Sequence, residues 1–371
     1  MPKYNFSGGM PDPVSFPVEG LIDAAQQVLS ESGRTLVQYP DEHGYPVLRE
    51  VMVERFRKNN DVALPIEQFA LTNGSMQAIS LINQYFVQPG DTVISENYTY
   101  SGTLGCFRQY QANIVGVETD EDGMNIDTLA ETLSDLQQQG IKPKFIYTIA
   151  SNQNPTGTRM SLARRERLIA LAREHEILVV EDDCYADLHF EGEPPPPSIY
   201  KLADFENVIY IGSFSKILGP GVRLGYLSAS EELLSQVLSF KIDAGTSNLS
   251  AFIVGNFLKD HLWEHVATVN RILKEKCDAV KDALSKNSPS AFERWTHPTG
   301  GLFIWVKLPE ATDTPRLWRM LDEQGVRLAP GRAFHSQDQE VPYLRIAFGF
   351  PSLTDIHEGV AVTAACVLEC Q

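Results

Sequence analysis

Residues 208–216 read VIYIGSFSK, an apolar run that passes directly into serines and a lysine. Residues 177–185 have the same form, because ILVV is followed by EDDCY. Short apolar runs rich in β-branched residues are typical of strands that are buried on both faces of a sheet. Polar residues at the ends of such strands lie at the sheet edge where open α/β folds bind their ligands. The two segments therefore predict a parallel sheet with a polar site along one edge.

The same pattern extends over residues 68–227. Strands are predicted at 69–72, 92–95, 113–117, 144–149, 177–181, 208–211 and 224–228, with helices at 75–87, 102–109, 126–138 and 161–175. This alternation indicates crossover connections and a mostly parallel sheet that is covered by helices on both faces. The fold class is therefore α/β.

Beyond residue 230 the pattern changes to that of an α+β unit. Two long amphipathic helices are predicted at 231–258 and 261–285, followed by a strand at 302–308, a helix near 315–324, a strand near 343–348 and a closing helix from 352. A chain of 371 residues exceeds one ordinary domain. We expect an N-terminal arm (1–40) that joins the small domain, a large domain (41–258) and a small C-terminal domain (259–371).

Composition and charge exclude several classes of protein. The net charge of −17 opposes binding to nucleic acid. The first residues lack the apolar core of a secretory signal, and no apolar run approaches the roughly 20 residues of a membrane helix. The cysteines are odd in number and show no zinc-site spacing: Cys106, Cys184, Cys277, Cys366 and Cys370. We expect a cytoplasmic protein with reduced thiols and no metal.

Four polar segments follow predicted strands and carry the candidate chemistry. They are Asn73-Gly74-Ser75, Asn154-Pro155-Thr156-Gly157, Asp182-Asp183-Cys184-Tyr185, and Ser213-Phe214-Ser215-Lys216 with Arg223 seven residues on. Lys216 has apolar neighbours, and apolar surroundings lower the pKa of a lysine and make its amine nucleophilic toward a carbonyl. A lysine after a strand is more often a solvated loop charge, so this feature decides nothing by itself.

The other segments supply the partners that a phosphorylated pyridine would need. Gly74 permits close approach of the backbone, Ser75 is expected to cap a helix, and the free N–H groups of that helix attract an anion. Ser213, Ser215 and Arg223 are further candidate phosphate ligands. Taken singly, each segment also fits a plain N-cap or turn.

Asp182 ends an apolar strand, where a carboxylate is well placed to hold a protonated pyridine nitrogen. Asn154 and Tyr185 are candidates for contact with a phenolic oxygen on the same pyridine ring. Asp183 is interpreted as a capping or turn residue. Cys184 is interpreted as a packing residue rather than a nucleophile.

The order strand–GS–helix, NPTG, EDDxY and SFSKxxxPGxRxGY resembles the fold-type I pyridoxal-5′-phosphate (PLP) enzymes of the class I/II aminotransferase family. Within that family the chain is most similar to the branch of 2-aminoadipate and kynurenine aminotransferases. The resemblance runs from Gly8-Gly9-Met10-Pro11 through Pro298-Thr299-Gly300-Gly301 to Tyr343-Leu344-Arg345. It implies a ping-pong transfer of an amino group between an L-amino acid and a 2-oxo acid.

The resemblance also implies a role for each matching residue. Lys216 forms the Schiff base and moves the proton, Asp182 pairs with the pyridine nitrogen, and Asn154 and Tyr185 contact the phenolic oxygen. The phosphate ligands are Ser75, the Met76 amide, Ser213, Ser215 and Arg223. Tyr100 stacks on the ring. Arg345 and Asn154 bind the substrate, and Arg345 binds the α-carboxylate of that substrate. Tyr39 reaches the phosphate of a neighbouring subunit, which implies a homodimer with shared sites.

Three residues depart from the commoner family pattern and leave the substrate open: Tyr98, Ser151 and Cys184. An acidic substrate would need a second arginine near residues 6–16, where none lies, and Arg34 and Arg108 are unsupported substitutes. Two alternatives remain. One is another PLP reaction on the same scaffold, such as β-elimination, racemisation or a biosynthetic condensation. The other is a ligand-binding regulator, which the acidic charge opposes because related regulators carry a DNA-binding module.

Overall fold

The elements of the fold come from a computed structural model that describes residues 2–287 and 290–371. The strands are β1 (Tyr4–Asn5), β2 (Phe69–Thr72), β3 (Thr92–Glu96), β4 (Asn113–Val117), β5 (Thr119–Asp120), β6 (Gly123–Met124), β7 (Phe145–Thr148), β8 (Leu178–Asp182), β9 (Val208–Ser213), β10 (Gly225–Ser228), β11 (Arg294–Trp295), β12 (Phe303–Lys307), β13 (Val326–Arg327), β14 (Ala329–Pro330) and β15 (Tyr343–Ala347). The α-helices are α1 (Val18–Ser32), α2 (Pro46–Asn60), α3 (Ser75–Phe86), α4 (Ser101–Gln109), α5 (Ile126–Gln138), α6 (Leu162–Glu174), α7 (Ile199–Leu202), α8 (Glu231–Leu238), α9 (Asn248–Asn287), α10 (Thr314–Glu323) and α11 (Leu353–Glu369).

A seven-stranded sheet forms the centre of the molecule, in the order β2-β10-β9-β8-β7-β3-β4. Its strands are parallel except for β10, which runs antiparallel to both β2 and β9. The sequence predicts all seven strands to within two residues at each end, because each is a short apolar run bounded by polar residues. The α/β fold with a large, mostly parallel sheet is confirmed.

A second, four-stranded antiparallel sheet has the order β11-β12-β15-β14. In its register Trp305 of β12 faces Arg345 of β15. The closing helix α11 begins after Ser352, whose hydroxyl and the Asp355 carboxylate form a reciprocal capping box. The N-terminal arm joins this part of the molecule, since β1 pairs in parallel with β13.

The prediction of two long helices at 231–258 and 261–285 is wrong. Helix α8 ends at Leu238, and α9 then runs without interruption for 40 residues. The break lies at Ala244 and Gly245, which both have positive φ values of 61° and 102°. Residues 258–261 (LKDH) contain no glycine or proline, so the helix continues through them. The predicted domain boundary at 258/259 falls inside α9.

None of the helices in the described residues combines the length and the apolar character needed to cross a bilayer. Apolar side chains are instead buried between the two sheets and the helices that cover them. The core is continuous across both sheets, from Phe69 and Ile211 of the large sheet to Ile304 and Leu344 of the small one.

Candidate active site

A cavity opens at the carboxyl edge of the central sheet. It is lined by Gly74, Ser75, Met76, Tyr100, Ile149, Asp182, Cys184, Tyr185, Ser213, Ser215, Lys216, Pro220 and Arg223. The four polar segments that the sequence singles out contribute most of this lining or lie beside it. Parallel strands end at the same edge, and the antiparallel β10 begins there, which brings Arg223 to the same place.

Lys216 lies in the loop that leaves β9. The Ser215 amide donates to Ser213 Oγ at 3.1 Å, which holds this loop in a tight turn. Lys216 Nζ donates to the Gly9 carbonyl at 3.0 Å and lies 5.9 Å from the centre of the Tyr185 ring. Burial lowers the pKa of Lys216, aided by the positive charges of Arg345 and Arg223 and opposed by Cys184 and Asp182. A lowered pKa increases the neutral, nucleophilic fraction of the amine.

Asp182 is the last residue of β8 and is almost fully buried. Its Oδ2 accepts a hydrogen bond from the Tyr147 hydroxyl at 2.6 Å, whereas Oδ1 is buried and has no hydrogen-bond partner among the described residues. Burial raises the pKa of Asp182, while the donors Cys184 and Tyr147 and the charge of Lys216 lower it. A buried acceptor without a partner at a cavity wall is suited to a cationic N–H donor on a ligand.

The anion-binding corner is built from backbone at the start of α3. Gly74 has a φ of 79°, and a Cβ on it would lie 2.8 Å from Arg223 Nη2. The helix begins at Ser75 with Gly74 as its N-cap, so the expectation that Ser75 caps the helix is wrong. Glycine offers no side chain to the N–H groups of Ser75 and Met76, which stay available for an anion, whereas the Gln77 amide donates to the Gly74 carbonyl at 3.1 Å. Arg223 Nη2 donates to the Asn73 carbonyl at 2.8 Å, which fixes the guanidinium beside this corner.

Arg345 lies at the other end of the site, 5% exposed. Its Nη1 donates to Asn154 Oδ1 at 2.6 Å, and Nη2 donates to the Ser7 carbonyl. The guanidinium carbon lies 4.3 Å from the ring centre of Phe303 and 4.6 Å from that of Phe334. Burial lowers the pKa of Arg345 to about 10. No carboxylate of the described chain pairs with it, so its charge is free to bind an anionic ligand.

Asn154 and Tyr185 connect the two ends of the site. Asn154 Nδ2 donates to the Tyr185 hydroxyl oxygen at 3.3 Å, so a single amide contacts both the tyrosine and Arg345. Burial raises the pKa of Tyr185 well above its usual value, which keeps the hydroxyl protonated. Tyr100 precedes α4 and lines the cavity, with its own pKa raised by burial.

Tyr39 is not brought to the cavity within one chain, and its side chain is 86% exposed. Cys184 does line the cavity, but burial raises the pKa of its thiol well above the usual value, so it is a poor nucleophile. Tyr147, the hydroxyl partner of Asp182, stands in no motif of the sequence. A tyrosine inside a buried strand needs a partner for its hydroxyl, and this is the one signal that points to it.

The residues present fit PLP. The cavity offers a nucleophilic lysine, an unpartnered buried carboxylate oxygen and a backbone corner for a phosphate, and these match an aldehyde, a pyridine nitrogen and a phosphate group. The three features lie on different strands and are independent of one another, so their convergence in one cavity is specific.

Comparison with known proteins gives the same result. The family model "Aminotransferase class I and II" matches residues 3–360. The chain is 34% identical over 369 residues to aromatic-amino-acid aminotransferase 1 of Thermococcus litoralis, covering 98% of this chain and 88% of the relative. It is 34% identical over 361 residues to the 2-aminoadipate transaminase of Thermus thermophilus, with 96% and 88% covered.

A solved structure agrees with the fold in detail. The α-aminoadipate aminotransferase of Thermus thermophilus, crystallised with N-(5′-phosphopyridoxyl)-L-leucine, superposes with a TM-score of 0.91 at 34% identity, covering 99% of this chain and 92% of that one. The fold is therefore that of the fold-type I enzymes. The chain belongs to the class I and II aminotransferase family, and it is a PLP-dependent enzyme that transfers amino groups.

Proposed function

We propose that Lys216, Asp182 and Tyr185 carry out the transfer of an amino group between an L-amino acid and a 2-oxo acid by a ping-pong mechanism. The observation that carries this proposal is the unpartnered, buried Oδ1 of Asp182 in the same cavity as a lysine of lowered pKa. A lysine alone would fit many sites, and a buried carboxylate alone would fit a structural role. Together they match opposite ends of one cofactor ring: the lysine matches the aldehyde, and the carboxylate matches the pyridine nitrogen.

The remaining lining residues are proposed to hold PLP in place. The phosphate would be held by Ser75, the Met76 amide, Ser213, Ser215 and Arg223. Asp182 would accept a hydrogen bond from the pyridine nitrogen, Tyr100 would cover the ring, and Asn154 and Tyr185 would donate to its phenolic oxygen. When bound, PLP supplies an electron sink for the charge that develops at the substrate Cα.

Lys216 is proposed to attach the cofactor and, once released from it, to move the proton at the substrate Cα. Its lowered pKa supports both tasks, because the neutral amine is the nucleophile and the base. Arg345 is proposed to bind the substrate carboxylate through its two terminal nitrogens. Holding the carboxylate there fixes the orientation of the Cα bonds and favours loss of the proton over loss of CO₂.

The Arg345→Gln variant tests the substrate clamp. We expect kcat/KM for the amino acid to fall roughly 100-fold, because a buried charge partner is lost. Cofactor affinity should stay within about threefold of wild type, since Arg345 lies apart from the phosphate corner. The measurement is steady-state kinetics together with cofactor titration. Unchanged kcat/KM would contradict the assignment.

Acceptor dependence separates transamination from the other PLP reactions. Wild-type enzyme is incubated with candidate amino acids, with and without an added 2-oxo acid. Transamination predicts that turnover depends strictly on the oxo acid. Release of ammonia and pyruvate without an acceptor would indicate a lyase instead.

We further propose that the enzyme is a homodimer of the cytoplasm, with Tyr39 reaching the phosphate of the neighbouring subunit. Val37, Tyr39 and Ile242 support a dimer, because their side chains are 89%, 86% and 93% exposed in one chain. Cytoplasmic location is supported by five free, buried cysteines. The division into 1–40, 41–258 and 259–371 stays a prediction.

A further inference from the structure

Residues 4–16, called the arm below, are the first part of the N-terminal arm (1–40) and are anchored at their start to β13 and to the end of β15. Strand β1 pairs with β13 in parallel. The Phe6 amide donates to the Arg327 carbonyl at 2.8 Å, and the Ala347 amide donates to the Phe6 carbonyl at 2.9 Å. Phe6 is 1% exposed. The first anchor is therefore a set of backbone bonds around a buried aromatic ring.

A second anchor holds the arm at Asp12. The Asp12 carboxylate forms an ion pair with Lys276 of α9, and their side chains are 12% and 6% exposed. Lys276 Nζ also donates to the Gly349 carbonyl at 2.7 Å, in the loop after β15. Asp12 Oδ1 accepts from the Val14 amide at 2.6 Å, so the carboxylate also shapes the turn that follows. We call Asp12, Lys276 and the Gly349 carbonyl the arm latch.

The arm is pressed closely against the loop that the latch holds. A Cβ on Gly349 would lie 2.3 Å from the Met10 carbonyl oxygen, so no larger residue fits at this position without a shift of the backbone. Gly349 has no positive φ, and the constraint is therefore one of space alone. The latch thus holds the Asp12 carboxylate in place and fixes the path of the backbone at Met10.

Between the two anchors, the arm contacts two basic side chains of the active site, Lys216 and Arg345. The Ser7 carbonyl accepts from Arg345 Nη2, and the Gly9 carbonyl accepts from Lys216 Nζ at 3.0 Å. A Cβ on Gly9 would lie 2.7 Å from the Phe303 ring, so the arm also packs on the wall beside Arg345. Displacement of the arm would move backbone acceptors away from the Lys216 amine and the buried Arg345 guanidinium.

We propose that Lys276 and Asp12 are positioning residues, which hold the arm over the site so that Lys216 and Arg345 keep the geometry needed for substrate. The latch touches neither substrate nor cofactor and acts through the Ser7 and Gly9 carbonyls. This inference rests on the proposed roles of Lys216 and Arg345. It assigns a function to a buried ion pair that lies outside the cavity lining.

The test compares Lys276→Met with Lys286→Met in the full-length, PLP-loaded enzyme. Lys286 lies on the same helix and pairs with Asp282, but its side chain is 68% exposed, so it is a matched control. In Lys276→Met we expect KM for the amino acid to rise about tenfold, because a small misplacement of binding groups weakens substrate binding. We expect kcat to change by less than about threefold. Lys286→Met should match wild type in both.

Amide hydrogen exchange supplies a readout that needs no substrate. In Lys276→Met the amides of Ser7 and Met10, which donate to Asn5 Oδ1 and the Gly8 carbonyl, should exchange at least about tenfold faster, because the local opening energy falls. Asp12→Asn is the second variant; it removes the charge but keeps an oxygen for the Val14 amide, and it should give the same two changes. It keeps the proposal testable if Lys276→Met does not fold.

Unchanged KM and unchanged exchange in an active Lys276→Met enzyme would overturn the latch. A lowered melting temperature in that same enzyme would show that the ion pair is merely structural. A wild-type enzyme without transaminase activity would instead overturn the proposed function, so the two failures are distinguishable.

Discussion

Two buried carboxylates near the carboxyl edge of the sheet differ in their hydrogen bonds. Glu96 accepts from Thr148 Oγ1 at 2.6 Å, the Ile149 amide at 2.8 Å and Thr99 Oγ1 at 3.0 Å. Asp182 keeps one oxygen without a partner among the described residues. The Glu96 carboxylate, with all its donors in place, links the segments at the ends of β3 and β7. The free oxygen of Asp182 is available to a ligand. Hydrogen bonding and position together separate the two roles: Asp183 Oδ1 also lacks a partner among the described residues, but of these three acids Asp182 alone lines the cavity.

Glu96 gives a pH-dependent prediction. Burial raises the pKa of Glu96 to about 7, against the hydrogen bonds that it accepts. Between its unfolded pKa near 4.5 and this value the folded state binds more protons than the unfolded state, so the free energy of unfolding falls as pH rises. The Glu96→Gln variant has no charge to bury, so its free energy of unfolding does not fall in this way. Above pH 7 it should exceed that of the wild type by up to roughly 3 kcal/mol, and the difference should fade below pH 4.5.

Thermal or denaturant unfolding across this pH range measures the Glu96 effect. Glu54→Gln serves as the control, because Glu54 is an exposed partner of Arg57 on α2. A wild-type protein and a Glu96→Gln variant with parallel stability curves from pH 4 to 8 would contradict the raised pKa.

At the residue scale, sequence reasoning locates groups that stand in contiguous motifs. Lys216, Asp182, Asn154 and Arg223 follow or precede strands within short polar segments, and these segments meet in or beside one cavity. Glu96 and Tyr147 were not found, because their partners are distant in sequence and meet only in the folded chain. Burial and hydrogen bonding, rather than residue type, give these two their roles.

At the element scale, the phosphate corner depends on the close approach of β10 to the turn between β2 and α3. A Cβ on Gly225 would lie 2.7 Å from both the Gly74 carbonyl carbon and the Ser75 nitrogen. The contact is between backbones, so a side chain cannot rotate away to relieve it. The antiparallel direction of β10 brings its first residue to this point.

Gly225→Ala should therefore weaken PLP binding by about tenfold or more, because overpacking displaces the turn that carries the phosphate site. Gly221→Ala is the matched control: it lies four residues before Gly225, in the turn ahead of β10, has no atom within 4 Å of an added Cβ and should bind like wild type. Fluorescence or absorbance titration of the cofactor-free proteins measures both. Equal affinities of the two variants would contradict this role of Gly225.

Element boundaries show where local pattern is sufficient. Strands of the large sheet are predicted closely, because each contains a short apolar run that is bounded by polar or turn residues. Helix α9 is not, since the polar residues 259–261 interrupt its apolar pattern without breaking the helix. The true break at Ala244 and Gly245 depends on two positive φ angles, which residue type signals only for the glycine.

At the scale of the whole molecule, exposed apolar side chains lie both within residues 1–40 and in the segment after α8. Val14, Val37 and Ile242 are 88%, 89% and 93% exposed. Isolated apolar residues are common on surfaces, but side chains exposed to this extent favour burial in an assembly. They support the proposed homodimer, in which Tyr39 would complete the neighbouring site.

Light scattering tests this assembly directly. We expect a dimer for the wild type, and monomers with strongly reduced activity for Ile242→Glu, because burying a charge without a partner is costly. Leu162→Glu is the control, since Leu162 is also an exposed apolar residue, 44% exposed, at the start of α6. A wild-type monomer with full activity would contradict shared active sites.

The central claim is that Lys216 attaches the cofactor. Borohydride reduction of the PLP-loaded enzyme, followed by peptide mass spectrometry, tests it most directly. If Lys216 attaches the cofactor, we expect a phosphopyridoxyl group on Lys216 alone, its absence from Lys216→Ala, and a loss of roughly 1000-fold or more in turnover of that variant. A reduced adduct on another lysine, or one that persists in Lys216→Ala, would contradict it.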